Sequence, residues 1–80
     1  MMAYCNLSKK DGSRLTYRIG GLSDDLTGLV EIDAATGEYL ILKEPEKSVV
    51  FDSHVGILAR RCRSNYEKGI IEERMAHETG

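Results

Sequence analysis

Four stretches of the chain bring together side chains that could do chemistry. Asp52-Ser53-His54 lies ahead of Cys62, and a carboxylate that orients an imidazole beside a thiol is one way to activate a cysteine nucleophile. Spacing works against that reading. Eight residues separate His54 from Cys62, about 12 Å along a helix axis. Cys62 also falls on an apolar helical stripe, where burial keeps a thiol protonated and inert. Asp52 or Ser53 is better used as a helix N-cap, and His54 as an exposed first-turn residue.

The second stretch is "RIGGLSDDLTG", residues 18–28, whose paired glycines and paired aspartates suggest a loop for phosphate or a metal. A phosphate loop presents backbone N–H groups at a helix N-terminus. Here the residues that follow, "LTGLVEID", alternate like a strand, and Asp24 and Asp25 would repel an anion. The spaced glycines of a dinucleotide loop and the Gly-Lys-Ser/Thr of a P-loop are absent. A calcium loop needs ligands at alternating positions and a distal glutamate, which this stretch lacks. It is expected to be a solvated connection between strands.

The third is Glu73 with His77, four residues apart, which on a helix would give two metal ligands. Structural zinc takes four protein ligands and catalytic zinc three, so two make no site. The fourth is Arg60, Arg61 and Arg63, the densest basic cluster in the chain. Lys9, Lys10, Arg14 and Arg18, on the first hairpin, could extend it into a patch that contacts anions or nucleic acid. Glu67, Glu72, Glu73 and Glu78 follow closely and oppose such a track, so a solvated, salt-bridged helix face is the plainer expectation. Catalytic, metal and cofactor sites are therefore not expected.

Elements that would position these groups can be read from alternation and turn chemistry. Lys10-Asp11-Gly12 fits a three-residue hairpin loop, which pairs Leu7 with Leu15, Cys5 with Tyr17 and Ala3 with Ile19 on one apolar face. "EIDAATGEYLIL" reads as a second hairpin, with Asp33 capping a four-residue loop and Gly37 closing it. That loop pairs Ile32 with Tyr39 and Val30 with Ile41, whereas a three-residue loop would pair Ile32 with Leu40 and Val30 with Leu42. The pattern alone does not decide, and the first is preferred because it gives Asp33 the capping position. Strands are expected at about 2–9, 13–19, 27–33 and 38–43, with 48–51 a candidate fifth. A helix follows at about 53–68, with Val55, Leu58, Ala59, Cys62 and Tyr66 on one face and Gly69 as C-cap. Residues 70–77 read as a short second helix or an extension of the first.

One domain is expected for the 80 residues. The fold class expected is α+β: an antiparallel meander of four or five strands, built from two hairpins, with the C-terminal helix packed on one face. Net charge of −2 argues against a dedicated nucleic-acid binder. No apolar run is long enough to span a bilayer. Cys5 and Cys62 read as buried free thiols, which fits a cytoplasmic protein. "GLVEIDAATGEYLILKEP" and "SVVF" hold more bulky apolar residues than one helix can cover. A surplus of that kind points to an interface, so the expected function is a non-catalytic interaction or regulatory module that forms a homodimer or binds a protein partner. Nucleic-acid binding through the arginine face, and an enzyme using Asp52 and His54, are the alternatives.

Overall fold

A computed structural model describes residues 2–78 of the chain. Four strands come first: β1 (Met2–Asp11), β2 (Arg14–Gly20), β3 (Gly28–Asp33) and β4 (Glu38–Lys43). The helix α1 (Asp52–Glu67) then crosses back over the sheet, and β5 (Arg74–Glu78) ends the described chain. All neighbours pair antiparallel in the order β4-β3-β2-β1-β5. The fold is α+β, with one helix packed on a five-stranded sheet.

Alternation decides which face the helix covers. Ala3, Cys5, Leu15, Tyr17, Ile19, Val30, Ile32 and Met75 are buried on the inner face and meet Val55, Leu58, Ala59 and Cys62 of α1. Tyr66, expected on the same helical stripe, is exposed at its far end. Residues of opposite parity, from Tyr4 and Asn6 to Arg18 and Arg74, project from the other face by the period-two rule of a strand. Among the described residues no helix lies on that outer face.

The second hairpin has the expected register, with Ile32 opposite Tyr39 and Val30 opposite Ile41. The Asp33 carboxylate accepts from Ala35 N–H at 3.0 Å inside the loop. The first hairpin corrects the expectation. Its loop is the two residues Gly12-Ser13, with Asp11 opposite Arg14. Gly12 has φ +60 at the first central position, a conformation glycine supplies without strain. A bulge between Leu7 and Lys9 then restores the alternation, so Leu7 faces Tyr17 and Cys5 faces Ile19. Beyond the bulge the strands have slipped by two residues from the expected pairing, which keeps Leu7 and Cys5 on the apolar face. At the tip the slip is three, so Lys9 lies opposite Thr16 and Lys10 opposite Leu15.

Two further expectations fail. Residues 48–51 join no ladder, because that stretch is held by loop hydrogen bonds described below and only Val50 is buried. Residues 70–77 are not helical: the chain ends α1 in a C-cap at Gly69, with Ile70 N–H bonded to Asn65 O at 2.8 Å, and enters β5. "ERMA" favours a helix by propensity, but the free edge of β1 offers a complete ladder, and tertiary pairing wins. At the other end, the N-cap position of α1 is Phe51, without a side-chain cap, rather than Asp52 or Ser53.

Candidate functional site

The glycine-aspartate loop of residues 21–27 is a structural lock, and Asp25 is its centre. Asp25 is only 2% exposed, which corrects the expectation of a solvated corner. Its carboxylate accepts from Ser48 Oγ at 2.6 Å, Thr27 Oγ1 at 2.7 Å and the Lys47 backbone N–H at 2.9 Å. Ser48 Oγ in turn accepts from Gly21 N–H at 2.9 Å, and Thr27 Oγ1 from Glu46 N–H at 2.7 Å. These bonds, Ser48's first and Thr27's next, hold the Asp25 carboxyl below its ordinary pKa. The two glycines permit the approach: a Cβ on Gly20 would lie 1.7 Å from Asp25 O, and one on Gly21 would lie 2.5 Å from Val49 O. These bonds fasten the β2–β3 connection to the β4–α1 connection.

Asp52, His54 and Cys62 are each engaged separately. Tyr39 donates its hydroxyl to Asp52 Oδ2 at 2.8 Å, which raises the Tyr39 pKa. His54 is 2% exposed rather than a surface residue, since the first turn of α1 tilts it inward between Phe51 and His77, each ring 5.9 Å away. Burial, then the facing His77, lowers its pKa. His77 therefore stands near His54 rather than on a helix with Glu73. Cys62 lies in the core, its thiol 4.0 Å from Tyr17 Oη and 3.9 Å from Met75 Sδ. Burial pushes the Cys5 thiol up to about 12 and raises Cys62 as well, so neither is a nucleophile at neutral pH. Both cysteines are free and buried. Among the described residues no group of three or more histidine, cysteine or acidic side chains could hold a metal ion.

The basic residues divide between the two sides of the sheet. Arg61 pairs with Glu72 at 2.8 Å and reaches Ala76 O at 3.3 Å, tying α1 to β5. Arg63 makes a loose pair with Glu67 at 3.9 Å along the helix. Arg60 is exposed on α1. Arg14 and Arg18 project from the outer sheet face, opposite the helix, and Lys10 sits near the hairpin tip. The sheet separates Arg14 and Arg18 from the helix arginines, so these two do not extend the helix cluster into one patch.

Among the described residues the sheet has two edges, β4 and β5, and β4 is the more apolar. β4 pairs with β3 alone, so its outer row of backbone groups has no ladder partner. Leu40 is 60% exposed and Leu42 50% exposed, both away from the helix, while Tyr39 and Ile41 are half-buried against the core. A bulge at Leu42 breaks the ladder, since Val30 faces Ile41 but Leu29 faces Lys43, and it puts Lys43 opposite Leu29. Edge strands are protected by bulges, prolines or inward charges, and "EYLILK" carries the bulge without the other two. No helix among the described residues is long and apolar enough to cross a membrane. Comparison with known proteins adds no relative: no family model, curated protein or solved structure matches this chain.

Proposed function

We propose that the protein is a small non-catalytic interaction module of the cytoplasm that associates with a second copy of itself along β4. The observation that carries this reading is the pair Leu40 and Leu42, exposed on an unpaired edge strand. Antiparallel pairing of β4 with its twin would bring the exposed Leu40 and Leu42 of both chains together along the shared edge. Such a two-fold contact is self-complementary and satisfies the edge N–H and C=O groups of both chains. Free thiols held in the core fit a reducing compartment.

The test is mass in solution for the wild type and for a Leu40→Lys/Leu42→Lys double variant. Both leucines are exposed, so the substitution leaves the core intact and a thermal melt should confirm the fold. The wild type is expected to be dimeric and the variant monomeric. A variant with unchanged mass would place the contact elsewhere and reject the β4 reading.

A further inference from the structure

The outer face of the sheet holds a second feature, independent of the β4 edge leucines. Four strand pairings line up one cross-strand row: Lys43 opposite Leu29, Leu29 opposite Arg18, Arg18 opposite Asn6, and Asn6 opposite Arg74. The row crosses all five strands and alternates cation, neutral, cation, neutral, cation. Strand spacing puts successive cations about 10 Å apart. Among the described residues neither Arg18 nor Arg74 forms an ion pair, and Lys43 has only a loose 3.8 Å pair with exposed Glu46. An exposed pair of that kind is broken at little cost.

Shape adds to charge. Leu26 stands over the row as a ridge between two shallow hollows. One, of 390 Å³, is lined by Arg18, Lys43, Ser8, Thr27 and Leu29 among others. The other, of 370 Å³, includes Arg74, Asn6, Tyr4 and Ser23. Cations, hydroxyls and an amide thus share one open face with a tyrosine ring. Glu31 lies in the adjacent row and Glu73 beside Arg74, so the field is local and the affinity it supports is modest.

We propose that this face binds single-stranded nucleic acid, with the backbone lying along Lys43, Arg18 and Arg74 and a base stacked on Tyr4. Spaced cations track a chain of phosphates, and aromatic rings on an open sheet take unpaired bases. An acidic peptide would use the cations but not the ring. A duplex keeps its bases stacked inside and cannot use the ring either.

The experiment is fluorescence anisotropy with labelled oligo-dT and oligo-U of about ten nucleotides, longer than the row of about 20 Å so that the strand can cover it in any register. Three phosphate contacts predict a slope of about −2 in log K against log salt, or about 20-fold weaker binding between roughly 50 and 200 mM. Arg18→Ala and Arg74→Ala should each reduce that slope by about 0.7. Tyr4→Leu, checked for folding by its melt, should weaken binding about fivefold without changing the slope. Arg60→Ala on the opposite side of the sheet should change nothing. Three outcomes would overturn the proposal: no binding of either oligonucleotide, a slope indifferent to Arg18 and Arg74, or equal or tighter binding of a duplex or a poly-glutamate peptide.

Discussion

Asp25 shows how much one side chain can organise. Its folded pKa lies below the ordinary 3.8, so the ionised carboxylate is the form the fold prefers. The resulting stability is fully present above that ordinary value and is lost as pH falls through the lower folded one. Asp25→Asn presents an amide donor in place of one acceptor oxygen. The variant should melt lower than wild type at pH 7, and its stability should fall less steeply in acid. Denaturant midpoints measured across that range check both parts; parallel curves for the two proteins would contradict the role given to the charge. Gly20→Ala attacks the same lock by sterics, since its Cβ would meet the Asp25 carbonyl at 1.7 Å. Overpacking against backbone predicts a loss of about 3 kcal/mol, read from urea unfolding. The glycine-aspartate stretch announced a special loop in the sequence, but its partners Lys47 and Ser48 lie more than twenty residues away. Local pattern carries no such information, which is why Asp25 read as solvated. His54 was misjudged for a related reason: helical phase puts it beside the stripe, and only the arrival of His77 from β5 closes it in.

The elements were legible in proportion to how strongly period and turn chemistry agreed. In the second hairpin, alternation leaves two registers open, and the one that puts Asp33 at the capping position is the one formed. In the first, the pattern fixes the faces but not the pairing, because a two-residue slip changes no side chain's side. β5 is short, with one fully buried residue, Met75, and its composition favours a helix. Its strand state depends on contacts from elsewhere. Leu7 N–H bonds to Glu73 O at 2.7 Å, Tyr17 donates to Glu72 O at 2.7 Å, and Arg61 clamps the Glu72 side chain. Tyr17→Phe removes one of these and leaves a carbonyl short of a donor. The expected cost is about 1 kcal/mol, with amide exchange in β5 accelerating before that in β2 and β3. Uniform acceleration across the sheet would mean that the hydroxyl supports the whole core rather than the docking of β5.

For the molecule as a whole, one helix on a five-stranded sheet leaves a face and an edge to be explained. The apolar surplus of residues 28–51 signalled this in the sequence, and the structure assigns part of it to β4. Sheet order was not legible, since nothing in the sequence says that the chain returns past three strands to pair with β1. That return is what puts Arg74 in line with Asn6 and Arg18. It also covers the β1 edge, so that the two edges of the sheet are β4 and β5, of which β4 is the more apolar. The most direct test of the self-association reading is multi-angle light scattering across a concentration series. A mass of twice the 8.9 kDa chain is expected for the wild type, falling to the single-chain mass in Leu40→Lys/Leu42→Lys. A wild type that stays at 8.9 kDa at every concentration would contradict it.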